Sequence, residues 1–348
     1  MKFICNTLYK HLLDPSLEEQ VLYLTNEQCD ACAEGIDLSD VEGMIMQPFY
    51  VNKEFLDRMP NLKWVQITGA GYDRVDIEEV KKRGLVLTNT RGVMSISIAE
   101  DIFSKMLFLS RKMRTIEADK KAHVWEMFGQ DQWMCTCYAD LYGKTIGIMG
   151  FGSIGSEIAK RAKAFEMQVQ VYDIAKIEHP YVDKCFVGEG ELSAFYASCD
   201  YIVLSLPLNE HTRHMINTKA FDSMKESAVF LNVARGPIVD TEALIEALKQ
   251  KKIQAAALDV FETEPLPAES PLWDIDNLYM SPHKAGMGDS WTYFIGQLII
   301  RNIEKYNSGK ELEMTPIGID ALVFICSLEN KVNSLTTEQI KDIYTGKI

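Results

Sequence analysis

A glycine-rich stretch at residues 150–155 constrains the fold of this chain more than any other feature of its sequence. The stretch has the sequence Gly-Phe-Gly-Ser-Ile-Gly and follows a short apolar strand pattern at Thr145–Met149. A helical pattern runs from Ser156 to Phe165, and a second strand pattern ends at Asp173. A G-x-G-x-x-G motif between a strand and a helix, with an acidic residue about 20 positions later, is the fingerprint of a dinucleotide-binding βαβ unit.

Each glycine of this motif has a physical role in the predicted phosphate-binding turn. Gly150 permits a tight turn, and Gly152 lets the backbone approach a pyrophosphate because it has no Cβ atom. Gly155 allows the helix to pack closely on the strand. The free N–H groups and the positive dipole end of the helix favour phosphates. The predicted cofactor-binding residues of the turn are Gly150, Phe151, Gly152, Ser153, Ile154 and Gly155.

The acidic residue at the end of the second strand indicates which dinucleotide is bound. The carboxylate of Asp173 can accept hydrogen bonds from the hydroxyls of the adenosine ribose. Its charge would repel a 2′-phosphate, so we predict NAD as the cofactor. Lys176 lies close by in the sequence, and NADP is therefore the less favoured alternative.

The rest of the chain alternates strand and helix patterns, which predicts an α/β fold with a mostly parallel sheet. A length of 348 residues is sufficient for two domains. The predicted strands are Val41–Gln47, Leu62–Thr68, Leu85–Thr88, Thr145–Met149, Gln168–Tyr172, Tyr201–Leu206, Ala228–Asn232 and Ala255–Asp259. The predicted helices include Asn52–Met59, Asp76–Lys82, Ser97–Lys112 and Ser290–Asn307.

Composition and charge limit the partners of the chain. A hydrophobic content of 47% and a charged content of 25% are typical of a soluble globular protein. The formal net charge of −14 disfavours binding to nucleic acid or to anionic membranes. We find no signal peptide and no apolar run of membrane-spanning length, so we expect a cytoplasmic protein.

Chemistry-bearing residues lie in three later segments, of which the first two directly follow strand patterns. They lie in the segments Asn232–Asp240, Leu258–Pro265 and Ser281–Gly286, which contain an arginine, two glutamates and a histidine. Ligands of open parallel sheets bind beyond the carboxyl ends of the strands. We therefore expect all three segments to face the nicotinamide end of the cofactor, with the groups that hydride transfer to a keto acid requires.

These segments resemble the D-isomer-specific 2-hydroxyacid dehydrogenases, the family of glyoxylate/hydroxypyruvate reductases, D-lactate dehydrogenases and phosphoglycerate dehydrogenases. The likeness extends from about residue 40 to residue 313, whereas the first forty residues match poorly. The matching motifs are Gly150–Gly155, Ser205–Leu208, Arg235–Asp240, Glu262–Pro265, Ser281–His283, Thr68–Asp73 and Thr88–Val93.

The resemblance implies a catalytic role for three residues. Arg235 would bind the substrate carboxylate and polarise the keto oxygen, for which its planar fork of donors is suited. His283 would donate a proton to that oxygen and take it back in oxidation, a role typical of imidazole. Glu264 would hydrogen-bond the other ring nitrogen. We prefer it to Glu262 because the family's catalytic glutamate directly precedes a proline, here Pro265.

Further binding residues follow from the same resemblance. Asp259 would hold the nicotinamide carboxamide, with the Val233 backbone beside it, and Ala234 and Pro207 complete the predicted cofactor-binding set. The backbone N–H groups of Gly69, Ala70 and Gly71 would bind the substrate carboxylate from the other domain.

The family architecture consists of two Rossmann-like doubly wound domains, of which the substrate domain is discontinuous. It predicts a substrate-binding domain at residues 1–95 and 287–313 and an NAD-binding domain at residues 96–286. The aromatic-rich stretch 123–142 corresponds to the arm through which family members form homodimers, with ordinary core packing as the alternative.

Departures from the family pattern reduce the range of candidate substrates. Glu264 stands where the formate dehydrogenase branch carries glutamine, which argues against formate. Phosphoglycerate dehydrogenases carry arginines after an early strand, whereas Met44–Tyr50 contains no basic residue. We therefore expect a 2-keto acid without a phosphate group, such as glyoxylate or hydroxypyruvate.

The alternative function is a non-catalytic NAD-sensing protein of the corepressor type, because such corepressors retain the Arg–Glu–His set.

Three features lie outside this pattern. The pairs Cys29/Cys32 and Cys135/Cys137 could together hold zinc, but we expect eight reduced thiols and no metal because C-x-C is not the usual zinc spacing. His211 and His214 have no carboxylate between them, and we predict no metal there. The tail 314–348 resembles a fragment of a phosphate-binding protein of ABC transporters, and we expect a remnant without a binding role.

Overall fold

The computed structural model describes residues 2–125 and 138–309, which form two compact units. Of the described residues, the first unit comprises those up to Thr90 together with residues 293–309, and the second unit lies within Arg91–Thr292. The first unit is therefore built from two separate stretches of chain. The predicted domain boundaries after residues 95 and 286 stay predictions. The assignment of the units to substrate and cofactor stays a prediction.

The first unit contains a five-stranded parallel sheet of order β2-β1-β3-β4-β5. The chain order reverses between β1 and β3, as in flavodoxin-like doubly wound sheets. Every residue of β1, β3 and β4 is buried, which is typical of parallel strands covered on both faces. The strands are β1 (Phe3–Asn6), β2 (Val21–Leu24), β3 (Gly43–Met46), β4 (Trp64–Ile67) and β5 (Val86–Thr88).

The second unit contains a seven-stranded parallel sheet of order β12-β11-β10-β9-β6-β7-β8. This is the Rossmann order extended by one strand, and the topological switch point lies between β6 and β9. The prediction of two doubly wound α/β domains is confirmed. The strands are β6 (Thr145–Met149), β7 (Gln168–Asp173), β8 (Lys184–Val187), β9 (Tyr201–Leu204), β10 (Val229–Asn232), β11 (Ala255–Leu258) and β12 (Leu278–Met280).

Helices connect the strands of both sheets. The predicted helix at residues 97–112 corresponds to α4, after which the left-handed residue Lys112 (φ 51°) separates it from α5. Within the described part of the chain, no helix is long and apolar enough to cross a membrane. The helices are α1 (Asn26–Asp30), α2 (Lys53–Asp57), α3 (Ile77–Lys82), α4 (Ser95–Ser110), α5 (Met113–Ala122), α6 (Ser153–Ala164), α7 (Leu192–Ser198), α8 (Thr218–Asp222), α9 (Thr241–Lys249) and α10 (Asp289–Asn307).

A series of buried side-chain hydrogen bonds connects α10 with the first sheet. Trp64 Nε1 donates to Thr88 Oγ1 at 2.8 Å, and Thr88 Oγ1 donates to Gln66 Oε1 at 2.8 Å. Asn302 Nδ2 of α10 donates to the same Gln66 oxygen at 2.8 Å. Thr88 is thus both acceptor and donor at the centre of this hydrogen-bond series, and its loss leaves the buried Trp64 N–H without an acceptor.

We expect Thr88→Val to lower the free energy of unfolding by about 1–3 kcal/mol, because the Trp64 indole N–H loses its acceptor. Thr90→Val is the matched control: Thr90 is fully buried, and no described residue hydrogen-bonds its hydroxyl. That replacement should cost less than about 0.5 kcal/mol. Denaturant unfolding of both variants checks the prediction, and equal losses would contradict it.

Candidate active site

The glycine motif forms the turn between β6 and α6, at the switch point of the second sheet. Gly150 has φ 92°, and a Cβ atom on it would lie 2.9 Å from the Leu206 backbone. Ser205 Oγ donates to Gly150 O at 2.7 Å. The turn is therefore fixed on the segment that follows β9. Phe151, Ser153 and Ile154 are partly exposed in it.

Asp173 lies at the carboxyl end of β7, beside this turn. Its Oδ2 accepts a hydrogen bond from Phe151 N at 2.7 Å, and its Oδ1 accepts one from Ile174 N at 2.7 Å. Lys176 Nζ forms an ion pair with Glu178 at 2.6 Å. The Asp173 carboxylate thus lies against the glycine turn, and the Lys176 ammonium is paired with Glu178.

Gly155→Ala should disturb this turn, because the new Cβ would lie 2.3 Å from Gly150 O. We expect the free energy of unfolding to fall by about 1–3 kcal/mol and the affinity for a dinucleotide to fall with it. Gly190→Ala is the control, since Gly190 has open space around it and no positive φ. Thermal unfolding and NADH titration of both variants measure the effect. An unchanged Gly155→Ala protein would contradict the predicted packing role.

The histidine predicted from the sequence follows β12 and is paired with a glutamate. His283 Nδ1 lies 2.8 Å from Glu264 Oε2, and the imidazole is half exposed. The other oxygen of Glu264 accepts a hydrogen bond from Phe261 N at 3.0 Å, which orients the carboxylate. His283 has φ 52°, and its backbone N–H donates to Asp259 O at 2.8 Å.

The neighbouring Glu262 has different partners. Its Oε1 lies 2.7 Å from His214 Nε2, and its Oε2 accepts a hydrogen bond from Thr241 Oγ1 at 2.7 Å. Partial burial raises the pKa of Glu262, but hydrogen bonds from Thr241 and His214 outweigh it and leave the pKa below its ordinary value. Among the described residues of this unit, His214 thus pairs with Glu262 and His283 pairs with Glu264.

Arg235 lies in the loop after β10, immediately before the 3₁₀ turn Gly236–Ile238. Its Nη1 donates to Ala234 O at 2.8 Å. A Cβ atom on Gly236 would lie 1.9 Å from the Phe261 carbonyl carbon, so the backbones of the two loops are in direct contact. The arginine loop and the glutamate loop are thus adjacent.

The remaining predicted binding residues are placed as follows. Val233 and Ala234 are buried after β10, whereas Pro207 is exposed after β9. Gly69, Ala70 and Gly71 follow β4 in the first unit, where Asn89 Nδ2 donates to Ala70 O at 2.7 Å.

Asp259 has contacts that the sequence analysis missed. It is 2% exposed, and its carboxylate accepts hydrogen bonds from Ser281 Oγ at 2.6 Å and from the Lys284 and Ala285 N–H groups at 2.9 Å. It thus fixes the loop that carries His283. No sequence signal gave this role, because these donors come from another strand end.

Within residues 2–125 and 138–309, no group of three His, Cys, Asp or Glu side chains could hold a metal ion. Cys29 is buried and Cys32 partly exposed, both as free thiols. Cys135 and Cys137, most of the predicted arm 123–142 and the tail 314–348 lie outside the described residues.

Comparison with known proteins decides the family. The family model described as "D-isomer specific 2-hydroxyacid dehydrogenase, NAD binding domain" matches residues 103–285. The chain belongs to this family. It is therefore a 2-hydroxyacid oxidoreductase with an NAD(P)-binding Rossmann domain, and its substrate is a small 2-keto or 2-hydroxy acid.

Two relatives of this dehydrogenase have reductase names. Glyoxylate reductase of Thermofilum pendens is 37% identical over 258 residues, which is 73% of this chain and 74% of the relative. Glyoxylate/hydroxypyruvate reductase B of Yersinia pestis is 34% identical over 267 residues, 76% of this chain and 81% of the relative.

Solved structures agree with the fold. A D-isomer specific 2-hydroxyacid dehydrogenase family protein from Aeromonas salmonicida matches with a TM-score of 0.78 at 29% identity, over 90% of this chain and 97% of that one. NADPH-dependent glyoxylate/hydroxypyruvate reductase from Sinorhizobium meliloti matches with a TM-score of 0.78 at 26% identity, over 91% and 98%.

Proposed function

We propose that this dehydrogenase uses NAD to interconvert a non-phosphorylated 2-keto acid and a D-2-hydroxy acid, with His283 as the acid/base. The observation that carries the proposal is the 2.8 Å contact between His283 Nδ1 and Glu264 Oε2 beyond two adjacent strands. This contact engages one ring nitrogen, so that Nε2 is the nitrogen that serves the substrate.

The residues of the second unit fit a dinucleotide. The turn after β6 has the glycine conformation that the fingerprint requires and opens a helix of 12 residues, α6, whose N-terminus favours phosphate. When bound, the nicotinamide supplies or accepts the hydride at C2 of the substrate.

The protein side chains bind the substrate carboxylate, polarise the keto group and transfer the proton. Arg235 binds the substrate carboxylate and draws electron density toward the keto oxygen. His283 Nε2 donates a proton to that oxygen in reduction and accepts it in oxidation. Glu264 holds the ring through Nδ1. We further propose that the Gly69–Gly71 backbone binds the substrate carboxylate. We also propose that the cofactor is bound on its nicotinamide side by Asp259, Val233, Ala234 and Pro207.

The proposed substrates are glyoxylate and hydroxypyruvate. Two observations support them: the names of the relatives, and the segment that follows β3. This segment, Gln47–Tyr50, contains no basic residue for a phosphate, and Phe49 is 48% exposed there. The homodimer and the cytoplasmic location stay predictions.

We expect purified wild-type protein to oxidise NADH with glyoxylate or hydroxypyruvate but not efficiently with 3-phosphohydroxypyruvate.

Replacement of the proposed acid/base should greatly slow this reaction. His283→Asn should lower kcat by about 10²–10⁴-fold, because the proton donor is lost while asparagine tolerates the left-handed backbone. The assay follows NADH absorbance against a panel of 2-keto acids.

The second His–Glu pair supplies the matched control for this test. His214 also has a positive φ of 51° and lies 2.7 Å from Glu262, so His214→Asn makes the same chemical change in a similar pair. We expect it to retain kcat. A His283→Asn enzyme as active as His214→Asn would exclude His283 as the acid/base. Failure of the wild type with every keto acid would favour the non-catalytic NAD-sensing alternative.

Asp173 should determine the preference for NAD. Asp173→Ser removes the charge that repels a 2′-phosphate, and we expect the ratio of kcat/KM for NADH to that for NADPH to fall about tenfold or more. Asp183→Ser is the control, because Asp183 also accepts a backbone hydrogen bond, from Val169 N at 2.7 Å, but at the opposite end of β7. Kinetics with both cofactors measure the ratios. A wild-type preference for NADPH would overturn the proposal. The Sinorhizobium meliloti relative is NADPH-dependent, so NADPH is the cofactor to compare.

A further inference from the structure

Lys105 is a charged residue in the core of the second unit. It lies in α4 and is 1% exposed, in a helix whose buried face also contains Ile98, Ile102 and Met106. A buried ammonium is costly unless it is paired. Lys105 Nζ contacts the Asp101 carboxylate, one turn earlier in the helix, and lies 3.8 Å from Asp259 Oδ1.

The Asp259 carboxylate connects Lys105 with the loop that carries His283. Its Oδ1 accepts hydrogen bonds from Ser281 Oγ and Lys284 N, and its Oδ2 accepts one from Ala285 N. These three donors lie on both sides of His283 in the chain. The orientation of one buried carboxylate therefore sets the path of the histidine loop.

One ammonium serves two carboxylates in this cluster. Burial raises the pKa of Asp101 and the negative charge of Asp259 raises it further, while the hydrogen bond from Lys105 opposes both effects. Buried ion pairs add little net stability compared with apolar residues of similar volume. Joint replacement of Asp101 and Lys105 by neutral side chains is therefore expected to alter the geometry of Asp259 rather than the stability of the fold.

We propose that Lys105 is a positioning residue for the reaction: its ammonium holds Asp259 in the orientation that fixes residues 281–285 and thereby His283. This inference rests on the proposed acid/base function of His283. Lys105 acts through Asp259 and contacts neither substrate nor cofactor in the proposal.

The test compares Asp101→Asn with the double variant Asp101→Asn/Lys105→Met. Wild type and double variant have the same formal charge in the cluster, because one positive and one negative charge are removed together. Asp101→Asn is the matched control that retains the ammonium beside Asp259. Lys105→Met alone is the third variant. Hydrogen exchange of the Lys284 and Ala285 amides is measured without cofactor, and kcat and the keto-acid KM are measured with NADH.

We expect both amides to exchange at least about tenfold faster in the double variant than in Asp101→Asn, because their acceptor is less constrained. The kcat value should fall about tenfold relative to Asp101→Asn, with KM changed less than about threefold, because a misplaced proton donor affects the chemical step. Lys105→Met should show the same changes.

Equal exchange rates and equal kcat in these proteins would overturn the inference. So would loss of folding only in the variants that lack Lys105, since the residue would then serve stability alone. An inactive wild type would refute the proposed function instead, and the exchange measurement would still show whether Lys105 orders the loop.

Discussion

The register of three parallel strands is the constraint on which the candidate site depends. Asn232 at the end of β10 is paired with Leu258 of β11, and Leu258 is paired with Met280 of β12. The three strands therefore end at the same level, and the loops that carry Arg235, Glu264 and His283 leave the sheet side by side. Side chains far apart in the sequence meet because parallel pairing aligns the strand ends.

Much of this arrangement could be predicted because chemistry-bearing residues directly follow apolar strand patterns. β6, β10 and β11 are such patterns, and the glycine motif fixes the turn after the first of them. Four strands were missed: β1 and β2 lie in the first forty residues, β8 is an edge strand that begins with a lysine, and β12 has only three residues. Periodicity cannot distinguish such segments from loops.

Contacts made through tertiary packing could not be predicted. Asp259 was expected on the nicotinamide side on the basis of the family resemblance alone, yet its carboxylate accepts three hydrogen bonds from the loop after β12. Lys105 likewise gives no sequence signal, because lysines in helices usually face solvent. Both depend on how α4 and two strand ends approach one another, which the sequence pattern does not encode locally.

The close contact between Gly150 and the Leu206 backbone has a consequence for how such a protein can diversify. The turn has no room for a side chain at Gly150, so substitution there is sterically excluded. Asp173 accepts a hydrogen bond from the Phe151 amide of this turn but belongs to a separate strand. On the proposed function, the diphosphate part of the cofactor site is therefore sterically constrained, whereas evolution could change the preference between NAD and NADP by altering the end of one strand.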